Sequence, residues 1–255
     1  MRILRRILGP SNAIILSIDQ TSEATEDQIL EIRKYYHFVK LTEIVNQLVK
    51  RKNPLGWAAV TLQNPRKNLF LSLGPFLVGE RIPFTLFLRP DCVGLNRLPP
   101  EEELKIFFQA YPEKLKEMSL DTLIEEAWHK PSAIDSYLLD CRKSIGPLPI
   151  ATLDPGQFFV TWGKIVEIPP TLSEFGLCVF TGSKVTLKES VEFLQRQTGQ
   201  LVTVGFSRRT EELAPLLMGL GLNSLLTLEA GVVTEDTDPW RMPVWSPGEK
   251  ESQTP

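Results

Sequence analysis

The chain has 255 residues, 28 Lys and Arg against 31 Asp and Glu, a formal net charge of -3 at pH 7 and 42% hydrophobic residues. That balance fits a soluble globular chain with a core. It excludes a disordered polymer and a nucleic-acid binder that relies on a broad basic surface. Two His leave almost none of the commonest metal ligand and general base, and Cys92, Cys141 and Cys178 have neither a disulfide framework's pairing nor the CxxC spacing of structural zinc. They read as buried free thiols in a reducing, cytoplasmic compartment.

The basic, apolar opening from Met1 to Leu8 is interrupted by Gly9-Pro10-Ser11-Asn12 with no small-residue cleavage site after it, and reads as mature protein. No window reaches ~18 uninterrupted apolar residues, so no spanning helix is expected. Residues 13–18 form an apolar strand ending at Asp19. Residues 25–34 follow as a helix with an acidic first turn. A short strand at 37–39 precedes a helix over 42–49, where Ile44, Val45, Leu48 and Val49 repeat at helical spacing. Next come a buried-strand pattern at 57–62, a polar loop at 63–68, an apolar segment at 69–78 and a strand at 83–88. Residues 99–145 change texture to helices, opened by Pro99-Pro100, capped near Ser119 or Asp121, and reopened at Pro131-Ser132. Strands return at 158–160 and 177–181, then a helix at 187–198, a strand at 201–206, a helix at 211–218 and a last strand at 225–228. The polar tail 246–255 is expected to be disordered. Strands alternating with helices point to a parallel α/β fold, read as a single domain over 1–245.

Three stretches, taken in order, resemble the polysaccharide deacetylases of the NodB type. The first runs from Tyr36 to Val45 and on to Trp57-Ala58-Ala59-Val60-Thr61-Leu62. The second runs from Val78 to Leu88. The third starts at Thr161-Trp162, passes through Phe175 to Thr181 and Gly205-Phe206, includes Leu220-Gly221-Leu222, and reaches Trp240-Arg241-Met242-Pro243. The resemblance covers about 40 to 245 and implies a distorted (β/α) barrel carrying 99–145 as a helical insertion.

In that family a divalent metal polarises the acetyl carbonyl and its bound water, and a carboxylate removes the water's proton. Two adjacent Asp supply the base and one ligand. The corresponding run here is Thr61-Leu62-Gln63-Asn64-Pro65, which puts Gln63 at the base position and Asn64 at the ligand position. An amide cannot take up that proton at neutral pH, and its neutral oxygen is a weak ligand. Two His four residues apart complete the family's site, whereas Phe180 and Lys184 stand at those places with Thr181 in register. Lys184 is either solvated or fills the vacated cation position. The resemblance therefore implies a degenerate member with no metal cofactor and no catalytic residues.

Gln63, Asn64, Lys184, Arg208 and Asp19 are the candidates for ligand contact, since amides at strand ends suit sugar hydroxyls. His37 and His129 have structural readings: a packed or surface residue in a short strand, and a favourable partial charge at a helix C-terminus. No phosphate-cradling Gly motif and no GxSxG elbow is present. The expected function is non-catalytic carbohydrate-associated binding or regulation, with a carbohydrate or a polysaccharide enzyme as partner. An active carbohydrate deacetylase using other residues, and a protein-interaction scaffold without sugar contact, are the alternatives.

Overall fold

The computed structural model describes residues 11–19, 25–95, 98–115, 119–146, 148, 156, 158–207 and 213–246. In chain order the elements are β1 (Ile14–Ile18), α1 (Thr25–Arg33), β2 (His37–Phe38), α2 (Leu41–Val49), β3 (Trp57–Gln63), α3 (Lys67–Gly79) and β4 (Phe84–Leu88). Four helices follow: α4 (Pro100–Ala110), α5 (Pro112–Leu115), α6 (Leu120–His129) and α7 (Pro131–Ser144). The chain then runs through α8 (Trp162–Val166), β5 (Ser173–Cys178), α9 (Lys184–Thr198), β6 (Val204–Phe206), α10 (Ala214–Met218), β7 (Ser224–Ala230) and β8 (Met242–Val244). Among the described residues, no helix is long and apolar enough to cross a membrane.

All the strand pairs are parallel, in the order β1-β3-β4-β5-β6-β7-β8, with the two residues of β2 set against the start of β3. Ser17 N–H donates to Trp245 O at 2.9 Å and Trp245 N–H donates to Ile15 O at 2.8 Å, which brings the end of the chain back against β1 and closes the sheet into a barrel. Both faces of such a sheet are covered, so its strands are apolar almost throughout rather than alternating. Ile14, Leu16 and Ile18 face the surrounding helices in one cluster with Ile29, Leu73 and Leu187. Ile15 belongs instead to the interior cluster with Ala59, Phe87, Val204 and Leu226.

The interior is sealed at the N-terminal end by α2, whose Leu41, Ile44, Val45 and Leu48 enter the interior cluster. The buried carboxylate of Glu174 fixes this plug. It accepts the backbone N–H of Thr42 at 3.3 Å and the Thr85 hydroxyl at 3.2 Å, and also bonds the Thr42 hydroxyl. A negative group at a helix N-terminus satisfies an orphan donor and complements the helix dipole. Higher in the barrel the Phe87 ring lies over Gly176, where a Cβ would fall on ring carbons. Phe87 also meets Phe206 with ring centroids 5.8 Å apart.

Helices α4 to α7 form the insertion between β4 and β5. They bury a cluster of their own, including Leu104, Phe107, Leu123, Ile134 and Leu138. Ser119 caps α6 by accepting the Thr122 N–H at 3.3 Å, and Pro100 and Pro131 open α4 and α7. Polar groups tie the four helices to the barrel, beside the packing of Trp128 on its apolar cluster. Glu101 pairs with Arg89 and Glu102 with Arg66, while the Trp128 carbonyl accepts the Thr181 hydroxyl at 2.8 Å and the Gly182 N–H at 2.9 Å.

The structure corrects several sequence assignments. Residues 158–160 are not a barrel strand. Phe159 makes one antiparallel bridge to Arg66, and Val160 N–H donates to Pro65 O at 3.2 Å, so this stretch pairs with the loop after β3. The strand expected at 177–181 begins at Ser173 and ends at Cys178. Residues 225–228 do not close the series, because β8 follows and supplies the strand before the seam. The 69–78 segment is the middle of α3, which tolerates Pro75 in its interior at the loss of one backbone donor. Of the tail expected at 246–255, all but residue 246 lies outside the described residues.

Candidate functional site

The C-terminal ends of the barrel strands and the insertion enclose a cavity of about 1010 Å³. Asp19 after β1, Gln63 and Asn64 from β3, Arg89 after β4, Cys178 at the end of β5 and Phe206 from β6 contribute from the barrel. Pro100, Glu101 and Lys105 of α4, Trp128 of α6 and Asp135 of α7 contribute from the insertion, and Glu189, Phe193 and Arg196 of α9 form a side wall. In parallel barrels this end collects strand termini whose side chains no longer have to fill the core, so it is where ligands are held.

Four of the residues singled out in the sequence, Asp19, Gln63, Asn64 and Phe180, line this one cavity. Lys184 does not: it is exposed at the first position of α9 and is not part of the lining. A helix start turned to solvent suits a long hydrated ammonium better than an apolar-walled cleft. Arg208 lies outside the described residues. His37 is exposed in β2, and the Nε2 of His129, the last residue of α6, lies 3.4 Å from Glu125.

Asn64 takes a left-handed backbone conformation, φ 44°, directly after β3, a geometry that Asn tolerates better than most residues. Its N–H still bonds Phe87 O at 3.0 Å. Its Nδ2 donates to Cys178 Sγ at 3.2 Å, while Oδ1 is buried with no partner. Gln63, itself buried, gives its Nε2 to the Ser17 hydroxyl. Burial pushes the Cys178 thiol from its ordinary 9.0 up to about 11, against the pull of Arg89 and of the Asn64 bond. Cys178 is therefore a protonated packing group and not a nucleophile at neutral pH.

The residue that sequence reasoning missed is Arg89. Its side chain is 4% exposed, and its guanidinium grips Asp91 with two bonds, Nε to Oδ1 at 3.2 Å and an Nη to Oδ2 at 2.8 Å, while the other Nη pairs with Glu101. The face of the guanidinium lies 4.4 Å from the centroid of the Phe180 ring. Burial alone disfavours this charge, but Glu101 and Asp91 outweigh it and raise the Arg89 pKa above its ordinary value. A signal was present in the sequence: a lone Arg ends the apolar run 84–88 immediately before Pro90.

No protein-family model matches the chain, and no curated protein is similar to it in sequence. Solved structures are similar to it in shape. The BpsB deacetylase domain from Bordetella bronchiseptica superposes with a TM-score of 0.58 at 12% identity over 93% of this chain and 96% of that one. IcaB from Ammonifex degensii gives 0.58 at 14% identity, over 92% and 91%. The Streptococcus pyogenes deacetylase PplD, solved in complex with acetate, gives 0.57 at 12% identity, over 92% and 91%. The fold is that of polysaccharide deacetylases.

The residues present do not fit the divalent metal that the family resemblance implies. Asn64 offers a neutral oxygen, Phe180 offers a ring already covered by a guanidinium, and Lys184 is on the surface. Among the described residues no group of three or more His, Cys, Asp or Glu could hold a metal ion.

Proposed function

We propose that this chain is a polysaccharide-deacetylase-fold protein that has given up metal-dependent deacetylation and uses the barrel mouth to bind carbohydrate, as a binding or regulatory partner in polysaccharide metabolism. The observation that carries the reading is the Arg89–Phe180 stack at the mouth, with the amides of Gln63 and Asn64 beside it where the related chemistry needs a base and metal ligands. An amide presents both a donor and an acceptor, and partly exposed aromatic rings such as Trp128 and Phe193 offer faces to the C–H side of a sugar ring. The cavity has room for more than one hexose unit at the usual size of ligand pockets.

Two measurements test it. Elemental analysis of the purified chain and a melting curve with added zinc should show neither stoichiometric metal nor a rise in Tm; a rise that follows zinc concentration overturns the loss of the metal site. Calorimetric titration with oligomers of N-acetylglucosamine and of glucose should show saturable binding, and the N-acetylated oligomer should release no acetate. Acetate release supports an active deacetylase working through other groups, and no binding to any oligomer leaves the scaffold role.

A further inference from the structure

The end of the barrel opposite the cavity is unlike the rest of the chain in charge. Positions 1–10 and 33–56 hold nine of the 28 Lys and Arg and one of the 31 Asp and Glu, in a chain whose net charge is -3. The fold gathers these stretches. Gly56 N–H donates to Asn12 O at 3.1 Å and His37 N–H donates to Gly56 O at 2.8 Å, so the starts of β1, β2 and β3 meet at the N-terminal end that α2 seals. Lys50, Arg51 and Lys52, in the turn after α2, are exposed and have no ion-pair partner among the described residues. Beside them in the chain or across these bonds stand Tyr35, Val49 and Leu55, which are 52%, 58% and 51% exposed. Neighbouring carboxylates are engaged elsewhere: Glu31 pairs with Lys34, Glu80 with Arg33, and Glu43 accepts the Lys40 N–H at 2.9 Å. Acid returns beside the seam, where Glu235, Asp236 and Asp238 follow Val233, the residue bridged to Ala13.

Unpaired cations among exposed apolar side chains do nothing for the packing of the barrel, whereas an anionic bilayer surface rewards both. A basic residue close to such a surface is worth about fivefold in binding, and aliphatic and aromatic tips enter the headgroup layer. We propose that this end of the barrel is a peripheral docking surface for an anionic lipid bilayer. The apolar groups decide against a nucleic acid, whose phosphates would use the cations and leave Val49 and Leu55 in water. Residues 1–10 join the barrel at this same end, and their sequence has the composition of the patch, with Arg2, Arg5 and Arg6 among Ile and Leu and no acid. Binding of this kind needs no spanning helix, and no helix among the described residues is long and apolar enough to be one. It also turns the cavity, at the C-terminal ends of the parallel strands, away from the lipid.

The experiment is co-sedimentation of the full chain with vesicles of phosphatidylcholine alone and of phosphatidylcholine mixed with an equal part of phosphatidylglycerol, at about 0.1 M salt, where the Debye length is about 10 Å. The anionic vesicles should bind the chain about tenfold tighter than the neutral ones or better, and added salt should weaken the difference. Replacing the three cations together, as Lys50→Gln, Arg51→Asn and Lys52→Gln, should lower binding to the anionic vesicles at least about tenfold with the melting curve unchanged. Asn suits position 51 because φ there is 52°. Removing as many charges from the insertion, at the exposed Lys114, Lys130 and Lys143, should leave binding nearly unchanged; an equal loss there means attraction of the whole chain and overturns the proposal. Leu55→Trp should be quenched by brominated anionic lipid beyond the native chain, and no added quenching overturns it as well. So does equal binding of the two vesicle types, or binding of neither; a chain that ignores vesicles and binds a DNA duplex through the same three cations assigns the patch to nucleic acid instead.

Discussion

At Arg89 a full positive charge is held almost out of solvent, and its neighbours explain how. Asp91 and Glu101 accept three of its five N–H groups and Phe180 covers its face, so the cation has exchanged much of its water for fixed partners. Such arrangements are costly to break from one side only. Arg89→Met should lower stability by about 3 kcal/mol in urea unfolding, because Asp91 and Glu101 then both lose the guanidinium they share. Combining it with Asp91→Asn and Glu101→Gln should recover much of that loss. The thiol of Cys178 makes a second prediction. Its pKa is raised in the folded state, so the native chain keeps the proton over a range in which the unfolded chain has released it. Stability from this group is complete below pH 9 and is lost as pH rises towards about 11, by at most about 3 kcal/mol. Urea midpoints measured across that range should fall less steeply for Cys178→Val than for the native chain. A midpoint that rises with pH would contradict the assignment.

Among the elements, the pairing of β4 with β5 depends on one missing side chain. Gly176 lies beside the Phe87 ring in the interior, and its register partner in β4 is Phe87 itself. Gly176→Ala should cost about 1–3 kcal/mol through overpacking, and Phe87→Leu should relieve much of it in the double variant. Additive losses in the cycle would mean that the two groups do not share this space. The insertion illustrates a different principle. Three consecutive glutamates in the first turn of α4 each engage a different arginine: Glu101 meets Arg89, Glu102 meets Arg66, and Glu103 meets Arg142 of α7. Acidic residues at a helix start are favoured by the dipole, and here two of the three ion pairs join the insertion to the barrel while the third holds it together.

For the whole molecule, closure of the barrel is decided by its last described strand. Met242 and Val244 are buried in the interior cluster, and the Trp245 backbone bonds β1 on both its N–H and its C=O. A chain ending at Arg241 should lose that seam, expose Ile15 and Leu226, and unfold without a sharp transition while binding a hydrophobic dye. Circular dichroism melting and dye fluorescence measure both effects; a cooperative melt with no dye binding would show that the sheet is stable open.

Much of this architecture was legible because local rules govern it. The spacing of Ile44, Val45 and Leu48 marks α2, prolines open α4 and α7, and apolar runs mark β1, β3 and β4. The short elements were not legible in this way. Residues 158–160 have the apolar composition of a strand but pair with a loop, and β8 has only three residues, so neither carries a period long enough to read. The site divided along the same line. That Gln63 and Asn64 carry amides and Phe180 a hydrocarbon ring stands in the sequence itself, since the chemistry a side chain lacks does not depend on where it sits. Which cation occupies the mouth is a different kind of fact. Lys184 and Arg89 are 95 positions apart in the chain, each a single basic residue beside apolar ones. Only the barrel, by bringing the end of β4 under Phe180 and leaving the start of α9 in water, made Arg89 the buried charge and Lys184 the solvated one.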